Sequence, residues 1–258
     1  MDDATLDFDA IYATIVDSAA YRAAAHELVR VLPEWVVPFG SMTPEDAYRV
    51  LAFPLMPGET IVDLGCGLGG PSIWIAGLFG AKLVGVDLSA TAIAAANALA
   101  ESRGVSDPTR FIVANGQATR LPGQYAGAVI SFDALPFMDA ATVAREIARI
   151  LQPRGYLMCT LTEWTGDEEP PLATMVRSYD PYFEAAGLVI AKRMELDPDR
   201  GLPLYRGLLA REAELRAEAG VAAQPLLDFA RDQVERPRST RPVRDVYLEA
   251  RRPKTTNA

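Results

Sequence analysis

The sequence predicts an α/β fold: a mostly parallel sheet of seven strands with helices on both faces. Three observations predict it. Short apolar runs recur from residue 60 onward and alternate with helical stretches, as strands buried on both faces do. The first run, "TIVDL", passes through the bare turn "GCGLGG" into a helical stretch, a strand–turn–helix order that suits a ligand loop. Half of the 258 residues are hydrophobic, so the chain can bury a sizeable core as one large domain with an appendage.

The elements follow in order. Residues 9–30 read as one alanine-rich helix, with Ile11, Ile15, Ala19 and His26 among its inward positions. The prolines and glycine of "LPEWVVPFGSMTPED" break it, and Thr43-Pro44-Glu45 opens a short second helix. After "TIVDL", "GPSIWIAGLFG" is a helix closing on Gly80, and "KLVGVDL" is the second strand. Ser89 caps the helix "ATAIAAANALAESRG". "RFIVAN" and "YAGAVISF" are strands three and four. Asp139 caps the next helix, whose Val143, Ile147, Ile150 and Leu151 share a face. "YLMCTLT" is strand five, a helix is expected near 171–186, "LVIAKRMEL" is strand six and "VRDVYLEARR" the last. Between the last two strands, Leu204, Leu208, Leu215 and Ala219 mark one helical face, and Leu226, Leu227, Ala230 and Val234 another. Two such helices lie outside the winding, as a cap near the ligand edge or as a surface for a second subunit in a possible homodimer. The expected division is an N-terminal helical lid at 1–57, the core at 58–200, the cap at 201–239, and the last strand and tail at 240–258.

Composition excludes several classes. The net charge of −9 argues against a general nucleic-acid binder. The tail turns basic, with Arg236, Arg238, Arg241, Arg244, Arg251, Arg252 and Lys254, and reads as a solvated surface with a frayed end. Two cysteines, Cys66 and Cys159, give neither a disulfide framework nor a metal motif, so no metal is expected. The acidic start has no apolar core like that of a signal peptide, and no apolar run reaches about 18 residues. A cytoplasmic protein without a membrane span is the expectation.

Gly65, Gly67 and Gly70 fit the spacing G-x-G-x-x-G, which dinucleotide loops and S-adenosylmethionine loops share. The ligand's charge separates the two. A diphosphate would be repelled by Asp63 at the strand tip, whereas S-adenosylmethionine brings an ammonium and a sulfonium, which a carboxylate attracts. Asp87, ending the second strand, suits ribose hydroxyls in either case.

The ordered set "VDLGCGLGG", "VGVDLS", "ANGQATRLP", "ISFDALPFMD" and "LQPRGYLMCT", spanning about residues 58–163, resembles the class I S-adenosylmethionine-dependent methyltransferases, in particular the branch that tailors small molecules in natural-product biosynthesis. The resemblance implies a Rossmann-like core, S-adenosyl-L-methionine as cofactor and a small-molecule partner. It implies that Gly65 and Gly67 line the methionine part, Asp87 holds the ribose, Leu88 lies against the adenine and Phe132 near the methionine end. The family's Gly-Asp-Ala triplet after strand three is here Gly116-Gln117-Ala118; a glutamine oxygen can still accept from the adenine amino group.

Methyl transfer needs alignment, desolvation and, for some acceptors, proton removal. Related enzymes often carry a histidine in the segment where this chain has Phe137. The candidates for a base or acceptor-positioning group are therefore Asp133 and Glu163, at the ends of strands four and five, and the single histidine, His26. Phe137, Trp164 and Trp35, with Tyr12, Tyr21, Phe39, Leu135 and Met138, are candidate walls of an apolar acceptor pocket. The expected activity is methylation of O, N or C on a small, largely apolar metabolite. Three alternatives stay open: a cyclase or isomerase that uses the sulfonium charge without transferring methyl, a catalytically silent cofactor-binding module, and a nicotinamide-dependent oxidoreductase, which Asp63 disfavours.

Overall fold

The computed structural model describes residues 7–28, 30, 32–36, 43–50, 52, 55–105 and 107–254. Phe39 lies outside them. Seven strands form one sheet: β1 (Thr60–Leu64), β2 (Lys82–Asp87), β3 (Thr109–Val113), β4 (Ala126–Phe132), β5 (Leu151–Trp164), β6 (Val189–Glu195) and β7 (Val243–Arg251). Their spatial order is β3-β2-β1-β4-β5-β7-β6. All neighbouring pairs are parallel except those that β7 makes with β5 and β6. The order reverses between β1 and β4, which opens a crevice beyond their carboxyl ends.

The helices are α1 (Phe8–Ile15), α2 (Ala19–Leu28), α3 (Pro44–Val50), α4 (Gly70–Phe79), α5 (Ala90–Ser102), α6 (Ala140–Ile150), α7 (Asp180–Ala185), α8 (Leu202–Ala210), α9 (Glu212–Ala219) and α10 (Gln224–Glu235). Local chemistry fixes their ends. Ser89 caps α5 by accepting the Ala92 N–H, and Asp139 caps α6 by accepting the Thr142 N–H. α6 buries Val143, Ala144, Ile147 and Ile150 against one sheet face, with Val62, Val129 and Leu157. The other face holds Ile73, Ile75 and Ala76 of α4 and Ile93 and Ala96 of α5 over Ile61, Leu83 and Ile130.

Four details differ from the sequence reading. The stretch 9–30 is two helices, because the Ser18 hydroxyl accepts the Tyr21 N–H and starts a new turn. The helix expected over 171–186 is only α7, since Pro170 and Pro171 interrupt the chain and Arg177 donates to the carbonyls of Gly166, Asp167 and Glu168, holding a loop there. The cap has three helices, because the stretch marked by Leu204 to Ala219 breaks at Arg211, whose φ of −108° and ψ of 21° leave the helical region between α8 and α9. Four of the tail arginines have partners in the fold: Arg238 pairs with Asp245, Arg241 with Asp232, Arg244 with Glu163, and Arg252 donates to the Ala148 carbonyl.

The cap does not stand alone. Leu204, Leu208, Leu215, Leu226, Leu227 and Ala230 share one apolar cluster with Tyr12, Ile15, Tyr21, Ala24 and Ala25 of α1 and α2. Its two roots are joined by Ser239, whose N–H and hydroxyl donate to Asp199. Both roots also reach one buried carboxylate on β7: Asp245 Oδ2 accepts from Arg200 at 2.6 Å, and Oδ1 accepts from Arg238 at 2.6 Å and from the Thr162 hydroxyl at 2.8 Å. Asp245→Ala should take away the buried partner that Arg200 and Arg238 share and lower the unfolding free energy by about 3–5 kcal/mol. Arg236→Ala, at the exposed pair with Asp232, should leave the urea midpoint unmoved.

Candidate active site

The crevice begins at the turn after β1. Gly65 and Gly67 take φ of 77° and 50°, which side chains other than glycine rarely adopt. Space forbids a side chain as well: a Cβ on Gly65 would stand 2.2 Å from the Ala134 Cβ, and one on Gly67 2.8 Å from the Tyr12 hydroxyl. The turn is thus pinned between the tip of β4 and the lid helix α1.

Asp63 is 3% exposed at the end of β1, and its Oδ1 has no hydrogen-bond partner. Burial raises its pKa to about 7; the Ser72 hydroxyl pulls the other way and the charge of Asp87 adds to the rise. A buried carboxylate with an orphan oxygen, set behind a bare turn, is a receptor for a cation or a hydrogen-bond donor. It is a poor neighbour for a diphosphate.

Asp87, at the end of β2, accepts the Gly67 N–H on Oδ2 at 2.9 Å and the Ser89 N–H on Oδ1 at 3.0 Å. It ties the glycine turn to the start of α5 and keeps further lone pairs for a ligand. Leu88 beside it is 70% exposed. The Gln117 oxygen accepts the Asp139 N–H at 2.7 Å while its nitrogen donates to Asn115 at 3.3 Å. Gln117 therefore fastens the segment before α6 and keeps one lone pair of its oxygen and one N–H of its amide for the crevice. Ala118 is exposed, and Phe132 lies half-buried between the two apolar clusters that meet at the crevice.

The lid helix α1 crosses this edge. Asp9 accepts from the Ser89 hydroxyl at 2.5 Å and the Thr91 N–H at 3.2 Å, and Phe8 meets Phe137 edge-on at 4.9 Å. Tyr12 is 6% exposed; burial, and then the charge of Asp87, keep its phenol protonated as a donor. Phe137 thus packs under the start of α1, while Tyr21 is fully buried in the lid–cap core and walls no pocket.

Of the candidate bases, Asp133 stands at the tip of β4, one residue from the Ala134 that touches the glycine turn. Its left-handed φ of 56° is held by its N–H donating to the Thr160 carbonyl and hydroxyl oxygens. Its Oδ1 accepts from the Thr160 hydroxyl at 2.8 Å and from Arg200 at 3.0 Å. Glu163 is elsewhere. Along β5 alternate side chains face opposite sides, and Glu163 points away from Thr160 and Thr162 into a buried nest. There it accepts the Tyr179 N–H at 3.0 Å and the guanidinium groups of Arg193 and Arg244. Three donors on a fully buried carboxylate make it a structural anchor. His26 sits in the last turn of α2, half-buried, with Nδ1 unpartnered, on the helix that packs against α8. The Trp35 ring lies under the Arg103 guanidinium at 4.9 Å. Arg103 is the C-cap of α5, and Trp35 borders both the lid–cap cluster and the cluster under α4 and α5. Trp164 donates its indole N–H to the Glu168 carbonyl at 2.8 Å and packs on the loop after β5.

The residues that sequence reasoning missed are Arg200, Asp46 and Asp245, which gather beside Asp133 from three distant segments. Among the described residues no group of side chains is arranged to hold a metal ion, and no helix is long and apolar enough to cross a membrane.

Residues 62–159 match the family model described as a methyltransferase domain. The chain is 32% identical over 120 residues to a 2-methyl-6-phytyl-1,4-hydroquinone methyltransferase of Synechocystis, covering 46% of this chain and 36% of that protein. It is 32% identical over 131 residues to a geranyl diphosphate 2-C-methyltransferase of Streptomyces lasalocidi, covering 51% and 43%. The chain thus aligns with less than half the length of these relatives. Among solved structures, that of the [4+2]-cyclase SpnF matches with a TM-score of 0.68 at 22% identity, over 81% of this chain and 80% of the other. The stretch from β1 into β5 is thus similar to a methyltransferase domain, and these similarities support the class I, S-adenosylmethionine-dependent family.

Proposed function

We propose that the protein is an S-adenosyl-L-methionine-dependent methyltransferase that acts on O, N or C of a small, largely apolar metabolite. The observation that carries this reading is the orphan oxygen of Asp63 behind the glycine turn. A buried carboxylate at this position suits the ammonium of the cofactor's amino-acid tail and opposes a diphosphate. In this reading Gly65 and Gly67 let the backbone approach that tail, Asp87 accepts from the ribose hydroxyls, and Leu88, Gln117 and Ala118 border the adenine. Phe132 borders the methionine end.

When bound, the cofactor supplies an electrophilic methyl on a sulfonium. The chain's own work is to align an acceptor and exclude water. The lid helix α1 covers the glycine turn with Tyr12, and the cap closes the apolar side. Asp133, fixed by Thr160 and Arg200, orients the acceptor from the tip of β4. A second reading, cyclisation without methyl transfer, draws on the engaged state of both strand-end acids, which leaves alignment as the main contribution of the site.

Three outcomes test the proposal. Incubation of candidate acceptors with the protein and a deuterated methyl donor should yield a product heavier by the labelled methyl, together with S-adenosylhomocysteine; an isomer of unchanged mass would select the second reading. Asp87→Ala should weaken S-adenosylhomocysteine binding by about 1.5–3 kcal/mol, the range for hydrogen bonds to a charged group, read by calorimetry. The raised pKa of Asp63 sets a pH dependence. Below about 7 the free protein carries the proton on Asp63, and the ligand's ammonium needs the ionised form, so binding must release a proton. Affinity should fall as pH drops below 7 and level off above it. Titrations in two buffers of different ionisation enthalpy should report proton release at pH 6 but not at pH 8, and Asp63→Asn should abolish the difference.

A further inference from the structure

The helix that covers the glycine turn is fastened to the start of α5 by one carboxylate. Asp9, in the first turn of α1, accepts from the Ser89 hydroxyl at 2.5 Å and from the Thr91 N–H at 3.2 Å. The Ser89 N–H donates to Asp87 at 3.0 Å, and Asp87 accepts the Gly67 N–H at 2.9 Å. Asp9, Ser89, Asp87 and Gly67 thus form one chain of contacts from the lid to the turn. The Ser89 hydroxyl, and then the Thr91 N–H, hold the Asp9 carboxyl below the usual carboxylate range, so it is ionised at neutral pH.

The other end of α1 is tied to the cap. The Thr14 hydroxyl donates to the Ala222 carbonyl at 3.1 Å. Just past the helix, Glu218 accepts the Ser18 hydroxyl at 2.5 Å and the Ala20 N–H at 3.2 Å. Between the two ends Tyr12 stands over Gly67. A ligand that reaches Asp63, 3% exposed, has to pass the groups that abut the turn, which are Ala134 and Tyr12. The segment of Ala134 is held by the sheet, through the Asp133 N–H on the Thr160 carbonyl. α1 is held by side chains, so it is the element that can give way.

We propose that Asp9 is the latch of a lid: the N-terminal end of α1 swings away from α5 about the Ser18 junction, and Asp9 sets how often the cofactor enters and leaves. The inference rests on the S-adenosylmethionine reading for the identity of the ligand, and on geometry for the latch. Asp9 is a positioning residue, acting through Ser89 and through the helix that carries Tyr12 over Gly67. Its two bonds join protein to protein, so they close the lid with or without a ligand beneath. Losing them destabilises the closed state equally in the free and the bound protein. Entry and exit then quicken together, and Kd stays where it was. A residue that gripped the ligand would change exit and Kd instead.

Surface plasmon resonance on the immobilised full chain, with S-adenosylhomocysteine as the probe, reads both rates. Asp9→Ala should raise the association and dissociation rate constants together by about three- to tenfold, the effect of one modest hydrogen bond. Kd should remain within about twofold of the parent's. Asp9→Asn keeps an acceptor for Ser89 and Thr91 and should bring both rates back toward the parent's. Hydrogen exchange reads the latch without ligand. A helix of eight residues does not hold itself once detached. The amides of Ile11 and Tyr12 should therefore exchange faster in Asp9→Ala, while those of α6 keep the parent's rates. Unchanged binding rates in Asp9→Ala would overturn the proposal, as would faster dissociation with unchanged association. Failure of the parent to bind S-adenosylhomocysteine would contradict the cofactor reading. The exchange of α1 would then decide the latch alone, and parent-like exchange in Asp9→Ala would refute it.

Discussion

A carboxylate buried behind a turn that has no side chains is the constraint on which the rest of this molecule depends. Asp63 is kept from water by the sheet below and by the glycine turn in front, yet one of its oxygens has no partner within the protein. Such a group is costly in isolation. It is tolerated where a ligand completes it or where it holds a proton, and its raised pKa shows the second state within reach. The neighbouring elements serve this point. Asp87 fastens the turn from β2, Ala134 abuts it from β4, and Tyr12 covers it from α1. The same packing that leaves no space for a Cβ at Gly65 and Gly67 fixes where a ligand's tail must enter.

A second level of organisation is ionic. The cap inserted between β6 and β7 is attached at both roots to Asp245, and through Arg200 to the tip of β4 and to α3. Buried ion pairs contribute little net stability when desolvation is counted, but removing one partner is costly. Their effect here is to set geometry: the cap, α3 and the tip of β4 share one arrangement of charges. The apolar cluster that joins α1 and α2 to α8 and α10 reinforces it. Lid and cap thus form a single wall over the crevice.

The parts legible in the sequence are those encoded locally. The alternation of apolar strands and capped helices gives the sheet, because burial on both faces leaves runs such as "TIVDL" and "GAVISF" mostly apolar. The glycine spacing and Asp87 are readable because the turn and the next strand end are short-range features. The helix break at Ser18 was hidden, since one hydroxyl decides it. The third cap helix was hidden because a single residue, Arg211, leaves the helical conformation between α8 and α9 inside a continuous apolar face. Glu163 and Trp35 looked like site residues by position, but the partners that claim them, Arg193, Arg244 and Arg103, lie far along the chain or on an unexpected face. The basic tail read as solvated because its acidic partners are tertiary neighbours. The hub at Arg200 unites residues 46, 133, 200 and 245, a convergence that only the folded chain displays.

The central claim is that the turn after β1 receives a positively charged amino-acid tail. Parallel calorimetric titrations of the same protein with S-adenosylhomocysteine and with NADH compare the two ligand classes that share this glycine spacing. Saturable heat with S-adenosylhomocysteine and none with NADH is the predicted result. Binding of NADH without binding of S-adenosylhomocysteine would contradict the account at its root.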